Sequence, residues 1–152
     1  MDFLANGAWS SGGGAALAFQ AFVLPFLAVR AATGFRLGLI EGSKSTTWLG
    51  AAGVAAYALR PTRKWPVGAW IHVDVLGEYQ WIGGALPNAP YNVLPRSAVD
   101  AVADASFLFV KDVEVVAGAG VEWALAYEGD PARRYSLPRW QGVGEAGIRV
   151  QF

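Results

Sequence analysis

The 152-residue chain has no cysteine, one histidine, one methionine and few charges. Without cysteine there is no disulfide framework and no thiolate metal site, although this alone does not fix the compartment. Charged residues make up only 16% of the chain, against about 25% in an ordinary soluble domain. The surface is therefore short of charge. Twelve basic residues balance twelve acidic ones, which removes any electrostatic argument for a nucleic-acid partner. The first residues, "MDFLANGAWSS", lack a basic segment followed by an apolar one. A secretion signal either never preceded them or has been removed, and removal fits the rest of the chain better; a third reading is that upstream sequence, including part of a first strand, is absent.

What is abundant is apolar: 54% hydrophobic and 13% aromatic residues, with a mean hydropathy of +0.31. One stretch, residues 15 to 33, has the length of a membrane helix, yet Gln20, Pro25 and Arg30 interrupt it. Proline and a mid-span arginine are both costly there. Read as a hairpin, the stretch turns at Leu24 and Pro25, and Gln20 and Arg30 fall on polar strand faces.

Strict alternation marks the strands, because successive side chains of a strand point to opposite faces. In residues 139–152, Trp140, Gly142, Gly144, Ala146, Ile148, Val150 and Phe152 share one face, while Gln141, Glu145 and Arg149 lie on the other with Arg139. The pattern recurs, and seven strands follow at roughly 15–23, 26–40, 47–60, 67–81, 97–110, 113–128 and 139–152. The phase of 47–60 is ambiguous because Ala and Gly occupy both faces. An eighth strand can come only from "DFLANGAWSS", which makes the first strand uncertain. Short turns at 24–25, 61–64 and 111–112 alternate with longer polar or Gly/Pro-rich stretches, "EGSKST", "IGGALPNAPYNVLPR" and "EGDPARRYSL". Short connections at one end and long ones at the other are the plan of a transmembrane barrel.

Aromatic positions suggest what the apolar face meets. Tyr79, Trp81, Tyr127 and Trp140 lie toward the long-loop end, and Phe107, Phe109 and Phe152 toward the other. These read as two girdles around an aliphatic band. The twelve steps from Trp140 to Phe152, at about 3.3 Å each and a tilt of roughly 45°, span about 28 Å, close to the thickness of a bilayer's apolar core. The opposite face mixes Arg30, Arg36, Arg149, His72, Asp74, Glu78, Asp100, Asp104, Glu114, Glu122 and Glu145 with small residues, as expected of a narrow lumen in which charges pair across the interior. The competing reading is a soluble sandwich or lipocalin-like barrel with these faces inverted.

The pattern, together with the ending "GIRVQF", resembles the small bacterial outer-membrane β-barrels of the OmpA/OmpX type. The resemblance covers the whole chain. It implies an all-β, antiparallel up-and-down transmembrane barrel of about eight strands, forming one domain over residues 1–152 and integral to a Gram-negative outer membrane, with both termini and the short turns periplasmic. In that class Ile148, Val150 and Phe152 match the ending read by the barrel-assembly machinery. The implied surroundings are outer-membrane lipid and lipopolysaccharide, and the implied state is a monomer without nucleic acid.

The chemistry is sparse. His72 lies two residues from Asp74 on one strand face, and a His–Asp pair beside a serine runs acyl transfer. No serine-bearing motif accompanies it, and Ser106 is a lone luminal candidate. His72 therefore reads as a paired luminal residue, with no catalytic residue, cofactor or metal site expected. "SSGGGA" lacks the Lys-Ser/Thr of a phosphate loop. Arg133 and Arg134 offer a loop match to anionic lipopolysaccharide, or are simply solvated. The expectation is a non-enzymatic anchor, adhesion or envelope-maintenance barrel. A narrow pore or carrier for small or apolar solutes is the first alternative, and a lipid A-modifying barrel enzyme the second.

Overall fold

The computed structural model describes residues 2–8, 12–40, 43–86, 89–127 and 139–150. Eight antiparallel strands follow one another around a closed barrel: β1 (Asp2–Ala8), β2 (Gly12–Leu24), β3 (Leu27–Ile40), β4 (Ser43–Leu59), β5 (Val67–Leu86), β6 (Ala89–Val110), β7 (Val113–Tyr127) and β8 (Trp140–Val150). Each strand pairs with its sequence neighbours. β1 closes the ring by pairing on one side with β2, from Asp2 opposite Ala18 to Ala8 opposite Gly12, and on the other with β8, from Asp2 opposite Arg149 to Ala8 opposite Val143. The uncertain first strand is thus present and short.

Residues 15–33 are not a helix. They lie in β2 and β3, joined by a tight turn at Pro25 and Phe26, where proline's fixed φ and missing N–H are tolerated. Among the described residues no helix is long and apolar enough to cross a membrane. Lys111 and Asp112 form a second tight turn, with Asp112 at φ 65°, a conformation that Asp tolerates better than most residues. Thr62 and Trp65 exchange backbone hydrogen bonds in the third short connection.

Two expected loops are largely strand. β5 continues to Leu86 and β6 begins at Ala89, so most of "IGGALPNAPYNVLPR" extends a hairpin. Ile40 pairs with Ser43, which also removes most of the "EGSKST" loop. The segment carrying Arg133 and Arg134 lies outside the described residues.

The faces are inverted relative to a soluble barrel. Outward positions carry Val29, Leu37, Val54, Ile71, Val73, Val75, Val115, Val121, Leu125 and Ile148, all exposed. Inward positions bury charge. An apolar exterior that encircles the molecule far exceeds the patches tolerated in water, whereas it suits hydrocarbon. The soluble reading therefore falls. β4 also acquires a phase: Trp48 and Val54 face out, Leu49 and Ala55 face in, and Tyr57 is half-buried on the inward phase.

Aromatic side chains ring both ends of this band. Toward the long-loop end are Trp48, Tyr79, Trp81, Trp123 and Trp140 (61% exposed). Trp123 and Trp140 are cross-strand partners with rings stacked at 5.5 Å. Toward the other end are Phe22, Phe26, Trp65, Phe107 and Phe109 (71% exposed). Trp48, Trp123, Phe22 and Phe26 are additions to the girdle expected from sequence. The side chains of Tyr127 and Phe152 lie outside what is described.

Candidate luminal site

Of the charged residues expected in the lumen, all but Arg139 are buried there or, for Glu145, nearly so. Strand alternation aims these residues inward, and the registers set them at successive heights. Arg139, placed on the same face by the alternation, is exposed just before β8, where its carbonyl accepts from the Ala124 backbone N–H at 2.9 Å.

Toward the long-loop end, four strands supply a ring of alternating charge. Arg36 of β3 reaches Glu78 of β5 at 3.2 Å and Glu122 of β7 at 2.9 Å. Arg96 of β6 reaches Glu78 at 3.4 Å and Glu122 at 2.9 Å. The Gln141 amide donates to Glu122 as well. Two guanidiniums thus meet two carboxylates across the bore, and each ion has more than one partner, as a buried charge requires. Sequence reasoning missed Arg96 by assigning it to a loop, since Pro90 and Pro95 read as strand breakers. Its signal was the period of two linking it to Asp100 and Asp104.

The next level centres on His72 of β5. Its Nδ1 is 3.3 Å from the Asp74 carboxylate, and its Nε2 is 3.3 Å from Asp104 and 3.4 Å from Glu145. Arg30 of β3 pairs with Asp74 and stands 3.8 Å from Glu145. The Asp74 backbone N–H donates to Asp100 at 3.2 Å. Gly118 explains how these acids fit. In the cross-strand register it is opposite both Asp104 and Glu145, and a Cβ there would overlap the Asp104 carboxylate. Gly53, opposite Asp74, makes room in the same way. The lumen thus alternates large and small residues around the ring, as a narrow barrel must.

Below lies an aromatic floor. Trp70, buried, stacks on Tyr57 at 5.5 Å and packs with Ala18, Ala28, Ala55 and Val116. The Arg149 guanidinium lies 3.8 Å from the Trp70 ring centre, a cation–π distance, and 3.9 Å from Glu114, its cross-strand partner. The Tyr57 hydroxyl donates to Gln20 at 2.5 Å. Ser106 is buried in the lumen, but its hydroxyl and the His72 ring are not hydrogen-bonded to each other, so no Ser–His–Asp arrangement is assembled.

With this geometry, the barrel compares closely with solved structures at low identity. The Neisserial surface protein A (NspA) superposes with a TM-score of 0.68 at 13% identity, over 99% of this chain and 94% of that one. A major outer membrane protein from Thermus thermophilus gives 0.64 at 14% identity, over 97% of each chain. The fold is that of outer-membrane β-barrels. No family model and no curated protein matches the sequence. The apolar exterior and this fold together are those of a membrane-spanning β-barrel.

Proposed function

We propose that the protein is a closed, monomeric, non-enzymatic barrel that serves as an anchor, adhesion or envelope-maintenance element rather than as a conduit. The observation that carries this reading is the filled bore: the Arg36–Glu78–Arg96–Glu122 ring at one level and the Trp70–Tyr57 floor at another. Eight strands leave an interior just wide enough for side chains, which argues against the pore and carrier alternatives. Complete closure leaves no sheet edge to pair with a second copy. The separation of Ser106 from His72 weighs against a lipid A-modifying enzyme.

Biological work then belongs to what the barrel presents beyond the membrane, and the lengthened β5–β6 hairpin supports that assignment. On this reading the short turns and the "GIRVQF" end face the periplasm, the chain resembles the OmpA/OmpX type, and the assembly machinery handles it during insertion. Lipopolysaccharide is its outer-leaflet neighbour. Recording across planar bilayers tests the core of the proposal. The reconstituted protein is expected to give no steady conductance, and large stable steps would return the pore reading.

A further inference from the structure

Luminal charge does not balance, and the imbalance sits at one level. Among the described residues seven buried or nearly buried carboxylates face four buried guanidiniums. Arg36 and Arg96 offset Glu78 and Glu122, and Arg149 stands by Glu114. That leaves Asp74, Asp100, Asp104 and Glu145 with Arg30 and the imidazole of His72 as their nearest cationic neighbours. Uncompensated ions are expensive in such a place. Protonation or a further positive charge offsets them.

We propose that this level is a binding site for one divalent first-row transition-metal ion, held by His72 Nε2, Asp104 and Glu145. One donor atom from each of these side chains lies within 4.8 Å of the others. The imidazole is 1% exposed and Asp104 5%. Neither His72 ring nitrogen and neither Asp104 carboxylate oxygen makes a hydrogen bond, although they stand 3.3 Å apart at their nearest. Such spacing without hydrogen-bond geometry suits donors directed at a common ion. Zinc bonds of about 2.0–2.1 Å in a tetrahedron place neighbouring donors about 3.3–3.4 Å apart, which matches the separations of Nε2 from Asp104 and Glu145.

Asp74 completes the arrangement from behind. Its carboxylate faces Nδ1 at 3.3 Å and is itself held by Arg30. With a metal on Nε2, a carboxylate so close to Nδ1 is placed to accept the Nδ1 proton and so to fix the metal-binding tautomer. Mixed nitrogen and oxygen donors favour Zn²⁺, Co²⁺ or Mn²⁺ over Ca²⁺ and Mg²⁺, which prefer all-oxygen sites. Water supplies the remaining position. Gly118 is part of the design, since only a residue without a side chain lets Asp104 and Glu145 converge across β7.

The test uses the full chain refolded in detergent with Co²⁺ or Zn²⁺, desalted, and assayed for metal content and for visible cobalt absorption. The expected result is about one ion per folded barrel with a low-symmetry cobalt spectrum. His72→Gln and Asp104→Asn are expected to retain at least tenfold less. Folding of each variant is checked by its gel mobility before and after boiling. Should either fail to fold, Glu145→Gln, at the least buried of the three ligands, is expected to show the same loss. Wild-type barrels that retain no ion would overturn the site, as would folded variants that retain as much as wild type. Equal retention of Ca²⁺ would overturn the transition-metal assignment. None of these outcomes depends on whether the bore conducts.

Discussion

Glu122 is the most heavily committed acid in the lumen, accepting from Arg36 and Gln141 and ion-paired with Arg96 at 2.9 Å while fully buried. Its replacement by Gln keeps the shape and removes the charge, which leaves two guanidiniums to share Glu78. Removing one partner from a buried ion network costs about 3–5 kcal/mol. Glu122→Gln is therefore expected to lower the urea midpoint markedly, followed by tryptophan fluorescence and gel mobility. Val121→Leu, one residue away on the lipid face, is expected to change stability by less than about 0.5 kcal/mol. Similar losses for the two variants would contradict the assignment of faces. At this scale the sequence showed which residues point inward, because alternation is local. It did not show which of them meet. Asp104 and Glu145 converge on His72 from strands far apart in the chain, and only register brings them there. That is why His72 read as a single histidine with one nearby acid.

Among the elements, the β5–β6 hairpin departs most from the sequence reading. Its 20-residue first strand, at about 3.3 Å per residue and a tilt of roughly 45°, rises about 44 Å, well past an apolar band of about 25 Å. Gly, Pro and Asn residues suggested a loop, but pairing from Ile82 with Asn92 to Leu86 with Ala89 carries the ladder onward. A cysteine-free chain makes topology simple to test. Asn92→Cys is expected to react with a membrane-impermeant maleimide on intact cells, whereas Val73→Cys is not. Labelling of Asn92→Cys only after lysis would reverse the proposed orientation. The other end of the chain carries a different expectation. Near an interface a charge costs only about 0–1 kcal/mol, so deletion of Phe152 or Phe152→Asp should spare refolding into detergent. Both variants are nevertheless expected to accumulate as periplasmic aggregates or degradation products in cells. Normal surface delivery would show that "GIRVQF" is not an assembly signal.

For the whole molecule, fold and membrane character were legible because they rest on period-two patterning; the expected segregation of short turns from long loops does not hold at β3–β4 or β5–β6, whose connections are two residues long. Closure was not, since β1 is only seven residues long and its evidence lies in pairing with both β2 and β8. The phase of β4 was hidden for another reason: Ala and Gly fit lipid and lumen equally, so only the registers of β3 and β5 decide that Trp48 faces out. The account depends above all on inverted polarity, with lipid outside and ions inside. Single spin labels placed at 115, 116, 117, 119, 121 and 124 on β7, in lipid vesicles, measure this directly. Positions 115, 117, 119 and 121 are expected to be accessible to oxygen dissolved in the bilayer. Labels at 116 and 124 are expected to be immobile and shielded from it. An alternation in which the odd positions instead collide with a water-soluble nickel complex would contradict the account.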